Sequence, residues 1–248
     1  MIKVDNIFKR FNHQQVLNGV NFGVEAGSVT SLMGRSGAGK SVLLRIMTGL
    51  EKPDSGAIWI DGKNLVGLNS TKLNKIRIRF GILFQEGALF DSLNVMDNVA
   101  FPLRERTRMS GREIIEKALS HLEQVGLFKH REKFPSELSG GMRKRAGLAR
   151  ALVSDPDIVF FDEPTSGLDP ITKSSIYRLI QKTHALREIT YVIISHDIRG
   201  VMEISDKIMV LNDGQIVAKG KPQELTQSPD PLVQQFLTGS AEGPIKID

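Results

Sequence analysis

The sequence predicts an α/β protein: a parallel sheet covered by helices, an antiparallel β portion at its start and a helical insertion in its middle. Three observations carry this. From residue 156 onward, short apolar runs alternate with segments of helical period, the pattern of strand–helix–strand units that build a parallel sheet. Strand-like segments within residues 2–61 instead alternate polar and apolar, as half-buried antiparallel strands do. Between Ala88 and Pro156 no segment reads as a strand.

In chain order, residues 2–4, 16–24 and 57–61 are the alternating strands, the last followed by a turn at Asp61-Gly62. Residues 29–33 form a short buried strand that runs into a glycine-rich turn and a helix over 41–50, and 80–84 is a further strand. Over 112–125, Ile114, Ile115, Ala118, Leu119, Leu122 and Val125 fall on one helix face. A second helix covers 140–153, with Ser139 as its cap. Strands at 158–161 and 190–194 then alternate with helices at 171–185 and 198–204. Strands 208–211 and 215–219 turn at Asp213-Gly214, and a short helix spans 231–237. Residues 1–85 and 156–225 are thus the expected core, 86–155 a helical subdomain and 226–248 a docking tail.

Composition narrows the function. Forty per cent hydrophobic and 25% charged residues suit a packed globular chain rather than a disordered one. No apolar run approaches the roughly 20 residues of a spanning helix. The opening MIKVDNIFKRF lacks the apolar centre of a signal peptide, so a membrane role is expected to be peripheral, from the cytosolic side. The absence of cysteine excludes disulfides, thiolate metal sites and cysteine nucleophiles. A net charge of +5 could serve nucleic acid or an anionic membrane surface, but a solvated surface weighs most. The basic clusters at 72–79, 104–112 and 143–150 lack the interleaved aromatics of a single-strand binder.

The chemistry begins at Gly34-Arg35-Ser36-Gly37-Ala38-Gly39-Lys40-Ser41, which fits G-x-x-x-x-G-K-[ST] between a strand and a helix. Glycines let the loop wrap so that backbone N–H groups and the helix N-terminus face phosphate oxygens. Lys40 then reaches the β- and γ-phosphates and Ser41 ligates Mg²⁺, with Val42 following in the first helical turn. After the buried strand 158–161 stand Asp162 and Glu163, at the strand end where open α/β sheets place ligands. Adjacent carboxylates there point in different directions, so Asp162 can hold hydrated Mg²⁺ while Glu163 polarises an attacking water.

With Leu138-Ser139-Gly140-Gly141-Met142 opening a helix, the sequence resembles the ABC (ATP-binding cassette) ATPase family over nearly its whole length. The resemblance implies a RecA-like P-loop NTPase core, MgATP as ligand, and two copies packed head to tail. Ser139, Gly140 and Gly141 of one copy then cap the γ-phosphate held by the other, a second use of a helix N-terminus as anion site. It also assigns Phe11 to stack on adenine, although a strand aromatic packed in the core remains the alternative. Gln85 matches the Q-loop, touching Mg²⁺ or the attacking water. Asp169 in Ser166-Gly-Leu-Asp169 matches the D-loop across the dimer interface, and His196 matches the switch histidine on the γ-phosphate. Met142 departs from the glutamine usual there and cannot make its hydrogen bonds.

Within the family, residues 84–99, Met142, Asp169-Pro170-Ile171-Thr172 and the segment 235–244 look like the ATPases of Mla-type phospholipid transport systems. That likeness implies a homodimer on the cytoplasmic face of the inner membrane of a Gram-negative cell. Its expected companions are an integral permease, a STAS-domain subunit and an MCE-domain lipid-binding protein. The rivals are a transport ATPase for another substrate and a soluble ABC ATPase on ribosomes or nucleic acid. The latter usually carry fused cassettes, coiled-coil insertions or zinc-binding cysteines, and this sequence has none.

Overall fold

The computed structural model describes residues 2–85 and 87–245. They form two compact units, one of Met1–Leu68 with Val192–Asp248, the other of Asn69–Tyr191. Among the described residues no helix is long and apolar enough to cross a membrane.

The chain opens in the first unit with the hairpin β1 (Ile2–Phe11) and β2 (Gln14–Val24), Phe11 pairing Gln14. Asn12 takes φ +51° in the turn between them, a left-handed conformation that asparagine tolerates better than most residues. Ile2, Val4 and Ile7 are buried; the step from even to odd positions follows a bulge at Asn6, φ +52°. Next comes β3 (Val29–Gly34), whose six residues are all buried. Such continuous burial marks a parallel strand covered on both faces. It leads into helix α1 (Lys40–Met47), which stops short of residue 50 because Gly49 turns left-handed at φ +69°. Strands β4 (Ser55–Ile60) and β5 (Lys63–Asn64) flank the Asp61-Gly62 turn, both of whose residues have positive φ. This first sheet has the order β2-β1-β4-β5, with β1–β2, β1–β4 and β4–β5 all pairing antiparallel.

The second unit starts with α2 (Ser70–Arg77), capped by the Asn69 side chain, and β6 (Phe80–Leu83). A helical stretch follows: α3 (Val95–Arg106), α4 (Gly111–Gln124) and α5 (Gly140–Leu152). Ser110 and Glu113 close a reciprocal capping box at the start of α4. Strand β7 (Ile158–Asp162) runs parallel to β6, with Phe80 edge-on to Phe160 at 5.4 Å. Helix α6 (Pro170–Ala185) then leads to β8 (Thr190–Ser195), along which the chain leaves this unit and re-enters the first.

Back in the first unit come α7 (Ile198–Ile204), β9 (Lys207–Asn212) and β10 (Gln215–Gly220), then α8 (Pro222–Thr226) and α9 (Pro231–Thr238). Strand β9 is parallel to β3 and antiparallel to β10, giving the order β10-β9-β3-β8. Met33, Val201, Ile208, Val210, Leu225 and Val233 form one buried cluster. Phe236 and Leu237 pack against it, so this apolar face of α9 is spent on the unit's own core. Beyond α9 the chain folds back: the Gln235 side-chain oxygen accepts from the Ile245 N–H at 2.7 Å, and its amide donates to the Ile245 carbonyl at 2.9 Å.

Candidate nucleotide site

In the first unit the glycine-rich loop joins β3 to α1. Gly39 precedes the helix at φ +96°, where an added Cβ would lie 2.9 Å from the Val16 carbonyl oxygen. Conformation and close approach therefore both demand glycine. No side chain caps α1 and no acidic residue lies in its first turn. Its leading N–H groups thus keep the polarity that attracts an anion. The ammonium of buried Lys40 bends back over the loop, donating to the Gly34 carbonyl at 2.7 Å and the Arg35 carbonyl at 2.9 Å. Arg35, Ser36 and Gly37 are exposed at the crest, while Ala38, Ser41 and Val42 are half-buried.

Two more predicted residues belong to this unit. His196 is exposed directly after β8, in a turn fastened by the Asp197 N–H donating to Ser195 Oγ at 3.0 Å. Phe11 is 42% exposed at the end of β1, which removes the alternative of a core aromatic. The Lys9 ammonium stands 4.9 Å from its ring centre, within cation–π range. The same ammonium bonds Glu51 at 2.7 Å, and this bond raises the lysine pKa and lowers that of the carboxyl.

The second unit carries the remaining predicted residues. Asp162 ends β7, half-buried, and Glu163 follows it, buried. Glu163 takes φ +50° immediately before Pro164, although a residue before proline favours extended backbone. A non-glycine residue held there costs about 1–3 kcal/mol, and such strain gathers at functional sites. Two donors meet on its carbonyl oxygen: the Ser166 N–H at 3.2 Å and the Lys144 ammonium at 3.1 Å. Gln85 is exposed just past β6. Beyond it, the Gly87 and Ala88 carbonyls accept from the half-buried Arg150 guanidinium at 2.7 and 2.6 Å.

Ser139 caps α5, its Oγ accepting from the Met142 N–H at 3.3 Å. Gly140 is half-buried and Gly141 buried; a Cβ on Gly141 would come within 2.7 Å of the Thr172 methyl. Asp169 caps α6, its carboxylate accepting from the Ile171 and Thr172 N–H groups and the Thr172 hydroxyl. The hydroxyl bond contributes most to holding its pKa below the ordinary carboxylate value. Gln85, Leu89, Gly140, Arg143, Lys144 and Ser166 are among the residues around a cleft of about 590 Å³ in this unit. Sequence reasoning missed Lys144 and Arg150, counting them with a solvated basic cluster. A signal was present: Gly141, Lys144, Leu148 and Leu152 recur on the buried stripe of α5.

A glycine-rich loop at a strand–helix junction of one unit, and an acidic pair at a strand end and a glycine-led helix cap in the other, are the features expected of an ATP-hydrolysing cassette. The ABC transporter family matches residues 17–166, and the chain belongs to that family. It is 44% identical over 230 residues to the intermembrane phospholipid transport system ATP-binding protein MlaF of Escherichia coli K12, covering 93% of this chain and 86% of that protein. It is also 43% identical over 244 residues to a probable ribonucleotide transport ATP-binding protein, mkl, of Mycobacterium leprae, covering 98% of this chain and 70% of the relative. Among solved structures, the cassette MJ0796, dimeric in a post-hydrolysis state bound to ADP and Pi, superposes with a TM-score of 0.83. That match has 34% identity over 90% of this chain and 99% of the other.

Proposed function

We propose that this chain is the ATPase subunit of an ABC transporter that moves phospholipid between the two membranes of a Gram-negative envelope. The observation that carries the ATPase half is the loop at Gly34–Ser41, with an uncapped helix behind it and Lys40 folded over its carbonyls. The phospholipid half rests on the likeness to MlaF over 93% of the chain. The mkl relative, named for ribonucleotide transport, supports the second reading of another substrate.

In this reading residues 34–42 bind the phosphates through backbone N–H groups and the Lys40 charge, and Phe11 stacks on adenine. Ser41, Asp162 and Gln85 offer hydroxyl, carboxylate and amide oxygens, the hard donors that Mg²⁺ prefers alongside water and phosphate. When bound, Mg²⁺ neutralises charge on the phosphates. Glu163 orients and polarises the attacking water, and His196 contacts the γ-phosphate. Ser139, Gly140 and Gly141 act on the ATP of a second copy, with Asp169 at the dimer interface. The dimeric state of the MJ0796 cassette supports this arrangement.

The absence of a spanning helix among the described residues supports a peripheral subunit beneath a separate permease. A STAS-domain subunit and an MCE-domain lipid-binding protein complete the proposed complex on the cytoplasmic face of the inner membrane.

The test isolates the full chain from membranes with whatever it holds. ATP turnover, a Glu163→Gln protein that binds ATP and dimerises but hardly hydrolyses it, and co-purifying phospholipid are the expected results. Near-normal turnover in Glu163→Gln overturns the assignment of that carboxylate. Co-purifying ribosomes or DNA in place of permease and lipid overturns the transport reading.

A further inference from the structure

The Lys144 side chain is 5% exposed and lies inside α5, one turn beyond Ser139 and Gly141. Its ammonium donates to the Glu163 carbonyl at 3.1 Å and to the Ser166 hydroxyl at 3.3 Å. The peptide it grips follows a residue at φ +50° before a proline, a conformation the chain does not adopt by local preference. Rotation about that φ and ψ swings the Glu163 carboxylate relative to the end of β7. A donor fixed in a neighbouring helix stops this rotation. The Ser166 N–H bond to the same oxygen is local, closing a tight turn. The Lys144 bond instead fastens the turn to a helix whose glycine face lies against Thr172 and Leu168.

We propose that Lys144 is a positioning residue for ATP hydrolysis: it holds the Glu163 peptide so that the carboxylate meets the attacking water in one orientation. The inference rests on the reading of Glu163 as the water-polarising group. A consequence is that α5, whose first turn acts on a partner's nucleotide in that reading, also fixes the orientation of this chain's own carboxylate.

The experiment measures ATP turnover and ATP affinity of the full chain, in the complex with which it is isolated. The variants are Lys144→Met, Lys144→Arg, Glu163→Gln and the Lys144→Met/Glu163→Gln pair. A misplaced group near the chemistry costs turnover rather than binding. Lys144→Met is therefore expected to lower kcat by about tenfold or more while KM stays within about twofold, and Lys144→Arg to recover most of the loss. In the Glu163→Gln background the Lys144→Met change should alter residual turnover by less than about twofold, because its effect passes through the carboxylate. Should Lys144→Met fail to fold, judged by thermal unfolding, Lys144→Gln carries the same comparison.

Lys144→Met turnover within about twofold of wild type, with Glu163→Gln inactive, overturns the positioning role and leaves the Glu163 reading standing. Full multiplication of the two effects in the double variant overturns it as well. Near-normal turnover in Glu163→Gln sinks the underlying reading instead.

Discussion

Replacing Arg150 with methionine tests whether α5 fixes the segment that follows Gln85. The guanidinium reaches two carbonyls, Ala88 at 2.6 Å and Gly87 at 2.7 Å. Ala88 is held at φ +46°, a left-handed conformation that a residue with a Cβ resists, beside Gly87 at +78°, which glycine adopts freely. Hydrogen bonds to a charged group are worth about 1.5–3 kcal/mol each, so the pair contributes about 3–6 kcal/mol before offsets. Methionine keeps the apolar stem and sheds the cost of burying a charge, which lowers the guanidinium pKa. The expected net loss is about 2–3 kcal/mol, with Arg150→Lys losing roughly half as much because an ammonium lacks the fork that serves two carbonyls at once. Urea unfolding followed by circular dichroism measures the first quantity; steady-state ATP turnover measures the effect at Gln85, expected in kcat more than in KM. A change below about 0.5 kcal/mol in Arg150→Met, with normal turnover, would refute the argument that this side chain shapes the segment.

Gly39→Ala forces a Cβ to 2.9 Å from the Val16 oxygen at φ +96°. It should weaken ATP binding by about tenfold or more and cost about 1–3 kcal/mol, read by nucleotide titration and melting. Val233→Ala removes two methyls from the cluster around Met33 and Val210, with an expected cost of about 1.5–3 kcal/mol in urea unfolding. His121 is buried, its Nδ1 against the Lys117 carbonyl at 2.9 Å and its Nε2 without a hydrogen-bond partner. Desolvation chiefly lowers its pKa; the hydrogen bond to the Lys117 carbonyl and the Asp155 charge oppose the fall, while the Arg187 and Lys117 charges add to it. The unfolded chain therefore binds the proton first, so this histidine's stabilising contribution is complete above the ordinary histidine pKa and is lost as pH falls below it. Urea midpoints of wild type and His121→Gln should converge as pH drops through that range, and parallel curves would count against the assignment.

Much of the fold was legible because the chemistry left few choices. The loop at residues 34–41 could be read from spacing alone, since Gly37 and Gly39 occupy φ values of +82° and +96° that other residues rarely reach. Buried runs such as Val29–Gly34 announced parallel strands. Helix α2 escaped because only Ile76 of its eight residues is buried, so it presents no apolar stripe. In α3, Pro102 reads as a breaker, yet the helix continues, capped by Asn94 and braced by Asn98 side-chain bonds to the Phe90, Leu93 and Asn94 carbonyls. At the site, the left-handed turn of Glu163 contradicts what the following proline suggests. It is tertiary, supported by Lys144, and no local pattern encodes it. The basic cluster at 143–150 mixes exposed Arg143 with inward Lys144 and half-buried Arg150, a distinction that residue counts erase.

The contact between Gly141 and Thr172 has a consequence for how sequences of this kind can vary. A methyl at position 141 would sit 2.7 Å from the Thr172 methyl, so alanine there is admissible only if residue 172 gives up that volume. Serine at 172 does so while preserving the hydroxyl that bonds Asp169. The two positions, 31 residues apart in the chain, therefore share one allowance of space. Drift at either is expected to be coupled to drift at the other, so the packing cost of a substitution at one falls in the company of its partner.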